Sequence, residues 1–237
     1  TTSHLRFGAT PIRSPYLCTN ADFVACHNFS FVEKYDMLSK AKDGATFLLA
    51  SPYAADEVWQ HLPDEIEQQI IDKKIRFYVI DAAKIAEATG MGTRTNTVLQ
   101  TAFFKISGIL PEDEAIAKLK EYAEKSYAKK GMDVVEKNWK CIDAARDAVF
   151  EVKVPAQPAG ACKMPPTVSP EAPEFVQKVT AELMAQRGND MPVSMIPDDG
   201  TWPTATTQWE KRNIATHIPV WNPQTCIQCL NCSTCPF

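Results

Sequence analysis

Three short apolar runs, each separated from the next by a stretch of helical spacing, restrict residues 1–91 more than anything else in the chain. Ala21-Asp22-Phe23-Val24-Ala25-Cys26 reads as a short strand. Thr46-Phe47-Leu48-Leu49-Ala50-Ser51 is apolar almost throughout and stops at Ser-Pro, as a strand buried on both faces does. Arg76-Phe77-Tyr78-Val79-Ile80-Asp81 is a third run, closed by a carboxylate. Helical spacing covers Phe31 to Lys42, closed by Gly44. It returns from Ala54 to Lys74 with an interruption near Pro63, and again from Ala82 to Thr89 before Gly90. Repeated strand–helix units of this length predict an α/β fold, a parallel sheet flanked by helices. Ligands of such sheets gather at the carboxyl ends of the strands.

Residues 95–150 read as helical. Thr95 to Ile109 is apolar enough to pack on a sheet. Pro111 stands where a helix would start, with Glu112, Asp113 and Glu114 placed to meet the positive end of its dipole. That helix runs to about Lys130, Gly131 breaks it, and another spans Asp133 to Phe150. The mixed charges on these helices read as solvated faces. The texture then changes: 11 of the 17 prolines lie between positions 152 and 225. Pro155-Ala156-Gln157-Pro158 and Pro165-Pro166 mark an extended connector with one helix, Glu174 to Arg187. Trp202, Trp209 and Trp221 argue for a strap laid over other parts of a protein, because disordered linkers are poor in tryptophan. The expected organisation is therefore an α/β domain over 1–151, a proline-rich connector over 152–224, and a cysteine-bearing segment over 225–237.

That last segment holds Cys226, Cys229, Cys232 and Cys235, half of the 8 cysteines, with Pro236 after the last. A thiol at every third position in a short curled loop can wrap a polynuclear metal centre. The closest pattern is the C-x2-C-x2-C-x3-C-P run of bacterial ferredoxins, whose thiolates hold iron–sulfur cubanes. Here the final gap is two residues rather than three. Cys226, Cys229 and Cys232 are thus the firmer ligands, and Cys235 matches only if one residue has been lost from the loop. Structural zinc prefers paired knuckles with a longer loop between them, and a disulfide staple suits small secreted domains; both remain alternatives on spacing alone. Cys18, Cys26, Cys141 and Cys162 are scattered without framework spacing, which points to a reducing compartment.

The formal net charge of −4 argues against a general nucleic-acid binder. No run of eighteen apolar residues exists, so no transmembrane helix is expected, and the N-terminus lacks a signal-peptide layout. The chain lacks an initiator Met and stops inside the cysteine run, and is expected to be an internal piece of a longer polypeptide. Upstream, the Gly90–Thr97 turn lets backbone approach a ligand. Thr93 or Thr95 can cap the following helix, and Arg94 can grip a phosphate with its planar fork; a plain capping turn is the competing reading. Ser3-His4-Leu5-Arg6-Phe7-Gly8 could face a substrate or a cofactor, or form ordinary surface. His27 reads as a hydrogen-bonded core histidine or a cleft residue, and neither His61 nor His217 has metal-ligand spacing.

The segments SHLRFG (3–8), VACHNFSFVEKYD (24–36), FLLASPY (47–53), VWQHLP (58–63), IIDKKIRFYVIDA (70–82), GMGTRTNT (90–97) and TTQWEKRNIATHIPVWNPQTCIQC (206–229) occur in order. Together they resemble pyruvate:ferredoxin (flavodoxin) oxidoreductase over nearly the whole chain. The resemblance implies most of a coenzyme-A-binding domain, the connector after it, and the opening of a two-cluster ferredoxin-like domain. It implies oxidative decarboxylation of pyruvate with coenzyme A to acetyl-CoA and carbon dioxide, electrons passing through [4Fe–4S] clusters to ferredoxin or flavodoxin. Thiamine diphosphate and Mg2+ would be bound outside this chain, and this portion alone should not turn over pyruvate. By the same resemblance Asn96 in GMGTRTNT and Asn138 in DVVEKNW contact coenzyme A, and Cys226, Cys229 and Cys232 are cluster ligands. A homodimer in the cytoplasm, or in a hydrogenosome-like organelle, is expected. A relative acting on another 2-oxoacid, or a zinc-stabilised interaction module, are the alternatives.

Overall fold

A computed structural model describes residues 2–210 and 219–234 of the chain. Two units are distinguished, Thr1–Pro166 and Thr167–Phe237. The first is built on a four-stranded sheet in the order β1 (Ala21–Cys26), β2 (Ala41–Ala50), β3 (Arg76–Ile80) and β4 (Phe150–Glu151). The first three strands are parallel, with Phe47 beside Phe77 and Leu49 beside Val79. The fourth runs antiparallel to β3.

Side-chain alternation divides the apolar runs between two cores. Phe47, Leu49, Phe77 and Val79 pack on one face against Ile66 and Ile70 of α1 (Asp64–Asp72). The Phe47 and Phe77 rings stack there at 5.3 Å. Leu48 and Ile80 face the other way. They meet Ala82 and Ala86 of α2 (Ala82–Ala88), Val98, Leu99 and Ala102 of α3 (Asn96–Ser107), and Cys141 and Ala145 of α5 (Met132–Asp147). Burial on both faces from Ala45 to Leu49 explains why that part of β2 shows no polar alternation. The two buried thiols serve as small apolar fillers: burial pushes Cys26 up to about 11 and raises Cys141 as well.

Two expectations fail. No helix spans Phe31 to Lys42: a 3-10 turn at Phe29–Phe31 is followed by turns, and β2 already begins at Ala41. The apolar Val32 and Leu38 are fully buried from this irregular path. Side chains satisfy its backbone, Asn28 accepting from the Ser30 N–H at 3.1 Å and the Lys73 ammonium donating to the Leu38 carbonyl at 2.6 Å. The helix expected over Asp133 to Phe150 also stops at Asp147, and Phe150 belongs to β4, opposite Val79. A two-residue edge strand has no periodicity to read, and its partner lies far away in sequence.

Beyond β4 the chain crosses α1 in extended form. The Asp64 N–H donates to the Cys162 carbonyl at 2.8 Å. The Ala159 and Met164 N–H groups donate to the carboxylates of Glu67, at 2.6 Å, and Glu65, at 3.0 Å. Glu67 is fully buried. Burial raises its pKa, the Ala159 N–H works against that, and nearby Asp64 adds to it. The second unit has its own small core of Val168, Ala172, Val176 and Ala181, around a π-helical turn at Val176–Thr180 that continues into α6 (Ala181–Met184). Trp209 packs against that core, and Trp202 meets Phe175 edge-on at 5.2 Å. No helix among the described residues is long and apolar enough to cross a membrane.

Candidate functional site

The Gly90 turn sets the direction in which α3 leaves α2. The Met91 N–H reaches the Ala86 carbonyl at 2.7 Å and the Gly90 N–H reaches Glu87 at 3.0 Å, a Schellman closure that needs the left-handed φ of 74° at Gly90. Gly92 is also left-handed, at 62°. Thr95 occupies the N-cap of α3, but its side chain makes no capping hydrogen bond, against expectation. Its backbone is already helical, at φ −91° and ψ −8°, whereas a capping hydroxyl is normally presented from extended backbone.

α4 (Glu112–Tyr127) and α5 form an antiparallel pair beside α3. Gly131, at φ 110°, makes the turn between them. The Trp139 indole N–H donates to the Lys120 carbonyl at 3.0 Å, Lys120 pairs with Asp143 at 2.6 Å, and Arg146 reaches Glu112 at 2.8 Å. The ion pairs are substantially exposed, so they set register more than they add stability. Gly108 ends α3 at φ 67°, and the Lys105 ammonium donates to the Arg146 carbonyl.

Between α3, α4 and α5 lies a cavity of about 380 Å³. Asn96, Thr97, Gln100 and Phe104 of α3 line it, with Lys118, Tyr122, Ser126 and Tyr127 of α4 and Asn138 and Ile142 of α5. Asn96 and Asn138 therefore share one cavity. Asn96 is exposed at its mouth; Asn138 is fully buried at its floor. The Asn138 amide donates to the Val134 carbonyl at 2.8 Å, and its oxygen accepts from the Thr97 hydroxyl at 3.1 Å. Arg94 is exposed in the turn and does not line the cavity. Sequence reading did not single out Thr97, Gln100, Lys118, Tyr122 or Ser126. The spacing of 118, 122 and 126 places them on one ridge of α4, a signal that has meaning only once α3 and α5 are known to face it. No strand residue lines the cavity, so it does not lie in the crevice at the carboxyl ends of β1–β3. There Asp81 is spent in capping α2, accepting from the Lys84 N–H at 3.0 Å.

The other candidates engage their own surroundings. The His4 imidazole accepts from the Cys18 N–H at 3.1 Å, the Arg6 guanidinium lies 4.0 Å over the Tyr16 ring, and Phe7 stacks on Phe103 at 5.9 Å. His27 is exposed after β1, not a core histidine, and His61 stacks on Tyr53 at 3.7 Å. His217 lies outside the described residues.

In the cysteine segment, Cys226 is half-buried and Cys229 and Cys232 are exposed; all three are free thiols. Cys235 lies outside the described residues. The Gln228 N–H donates to the Cys226 sulfur at 3.4 Å. That bond, with one to Trp221, holds the thiol below its ordinary pKa. Gln228 and Leu230 adopt left-handed φ of 56° and 62°, curling the backbone between the thiols. Thiols at this spacing with an N–H directed at sulfur suit an iron–sulfur centre in donor chemistry. Among the described residues they are not gathered into a group that could hold a metal ion.

Fold and cavity together define an α/β module with a polar cavity among three of its helices, in the same chain as a thiol-rich segment. The family described as pyruvate ferredoxin/flavodoxin oxidoreductase matches residues 1–148, and a domain of unknown function, EKR, matches residues 161–215. A putative pyruvate-flavodoxin oxidoreductase of Synechocystis sp. is 50% identical over 238 residues, and a probable pyruvate-flavodoxin oxidoreductase of Escherichia coli is 51% identical over 239. The pyruvate:ferredoxin oxidoreductase of Moorella thermoacetica is 46% identical over 237. Each match covers 100% of this chain and 20% of the relative, so the chain spans about a fifth of the length of these proteins. A solved chain, pyruvate oxidoreductase subunit PORC of Thermotoga maritima, aligns with 15% identity and a TM-score of 0.44, over 57% of this chain and 67% of that one. The chain belongs to the pyruvate ferredoxin/flavodoxin oxidoreductase family.

Proposed function

We propose that this chain supplies the coenzyme A pocket and the start of the electron path of a pyruvate:ferredoxin or pyruvate:flavodoxin oxidoreductase. In the whole reaction the carboxylate of pyruvate leaves as carbon dioxide and the acetyl group joins the coenzyme A sulfur. Two electrons go to ferredoxin or flavodoxin, and one proton is released. The names of the relatives support the reaction class and the acceptors. The observation that carries the assignment for this chain is the meeting of Asn96 and Asn138, distant in sequence, in one cavity.

The cavity's lining suits an elongated ligand that is part aromatic, part polar and part anionic. Tyr122, Tyr127 and Phe104 offer ring faces, Asn96 and Gln100 offer amides, and Lys118 offers a positive charge. Arg94 and the first N–H groups of α3 extend the same chemistry towards phosphate just outside the lining. The domain reading is a coenzyme-A-binding domain through residue 151, a connector over 152–224 and an iron–sulfur segment over 225–237.

Cys226, Cys229 and Cys232, with Cys235 as the fourth thiol, would hold a [4Fe–4S] cluster, which when bound takes up and releases single electrons. The chain's own contribution there is N–H donation to sulfur, as from Gln228 to Cys226, which favours the thiolate. Thiamine diphosphate and Mg2+ belong to parts of the protein beyond this chain. The full-length protein is proposed to act as a homodimer without nucleic acid or membrane.

The test is calorimetric titration of coenzyme A into the intact protein carrying this chain, alongside Asn96→Ala. Saturable binding is expected, weakened about tenfold by the substitution, the loss from one or two ligand hydrogen bonds. Binding that is absent, or indifferent to Asn96, overturns the pocket assignment.

A further inference from the structure

Hydrogen-bond accounting at the floor of the cavity fixes the orientation of a hydroxyl. The Val134 carbonyl can only accept, so the Asn138 atom 2.8 Å from it must be the amide nitrogen. The Asn138 oxygen therefore faces the Thr97 hydroxyl at 3.1 Å. An amide oxygen carries no proton, so the hydroxyl must donate. A threonine hydroxyl has one proton. Once it is committed to Asn138, the oxygen retains only acceptor capacity. Thr97 is half-buried and lines the cavity, and Asn138 is fully buried, so water does not compete readily for the bond at its acceptor end. Thr97 itself is held in place: it lies in the first turn of α3, and its carbonyl accepts from the Thr101 hydroxyl at 2.8 Å.

We propose that Thr97 is a further ligand-reading residue of this cavity, an obligate hydrogen-bond acceptor whose polarity is set by buried Asn138. Asn138 then acts through Thr97 as a positioning residue, whatever contact it makes itself. The ligand must present an N–H or O–H at this point; a phosphate or thioether there finds no donor in Thr97. Coenzyme A carries suitable donors in its amide N–H groups, ribose hydroxyl and adenine amine. This inference rests on the coenzyme A reading of the cavity and adds the residue that selects a donor.

The two can fail separately. Coenzyme A is titrated into the intact wild-type protein, Thr97→Ser and Thr97→Val, with thermal unfolding of each as a check on folding. Serine keeps the hydroxyl, and its affinity is expected within about twofold of wild type. Valine keeps the shape but loses both the acceptor for the ligand and the donor to Asn138, and is expected to bind about tenfold or more weakly. A disturbance that does not involve the hydroxyl would not be rescued by serine, and a valine variant that melts like wild type shows that losing the Asn138 bond has not disturbed the helix. Thr97→Ala takes the place of valine if that variant does not fold. Wild-type-like affinity in the valine or alanine variant, with binding by the wild type intact, overturns the role of Thr97 and leaves the pocket assignment standing. Equal weakening in serine and valine also overturns it. No binding by the wild type removes both.

Discussion

Asn138→Ala probes the junction of α3 and α5 directly. Asn138 is fully buried, and its amide makes two hydrogen bonds, one within α5 to Val134 and one across to Thr97. Alanine removes both, at about 1 kcal/mol each, and leaves the space of an amide group, which adds about 1 kcal/mol if the helices do not close over it. The expected loss is therefore about 2–3 kcal/mol. Asn138→Asp is the sharper variant. Its shape is right and one oxygen can still accept from Thr97, but the other now faces the Val134 carbonyl, setting two acceptors against each other. Only the protonated acid can donate there, so the folded-state pKa of the new carboxyl must lie above the unfolded value of about 3.9. A group shifted in that direction contributes stability below its unfolded pKa and loses it as pH rises through the folded one. Urea unfolding followed by circular dichroism at about pH 4.5 and about pH 7.5 reads this, with aspartate much closer to wild type at the lower value. If alanine costs less than about 0.5 kcal/mol and aspartate is equally stable at both, Asn138 does not carry the contacts that organise this cavity.

Glu67 and the sheet core offer independent checks. Burial raises the Glu67 pKa in the folded protein, so its favourable contribution is present below the unfolded value and declines as pH rises through the folded one. Glu67→Gln keeps an acceptor for the Ala159 N–H without the charge. Its melting temperature should gain on wild type between about pH 4 and pH 8, and a difference that shrinks with pH would refute the assignment. Phe77→Ala empties a fully buried site stacked on Phe47 and should cost about 3–5 kcal/mol by chemical denaturation; a loss under about 1 kcal/mol would contradict the packing described for that face.

How much was legible before folding depended on how local the signal was. Phe47, Leu48 and Leu49 announce a strand buried on both faces because every side chain in the run is apolar, and the two cores confirm it. Gly90 and Gly131 mark helix ends because only their backbones reach those φ values cheaply. Val32 and Leu38 misled, because apolar spacing compatible with a helix also arises where an irregular segment is tacked down by Lys73, a residue of another element. Phe150 misled because its strand exists only through its pairing with β3. Thr95 misled because a suitable residue at the cap position does not by itself supply a suitable backbone.

The cavity divides in the same way. Asn96 and Asn138 stand in ordered motifs shared with a family, and such motifs survive in one dimension. The order of residues alone determined the α/β class, the helix ends at glycine and the thiol spacing, since each depends on backbone preference or periodicity over a few neighbours. Tertiary structure alone decided that α3, α4 and α5 border one cavity, that Thr97 meets Asn138, and that the exposed Lys118, Tyr122 and Ser126 lie along its edge. Those facts depend on how three helices are rotated against a sheet, and that rotation is set by the packing of the whole domain, which no short window of sequence contains.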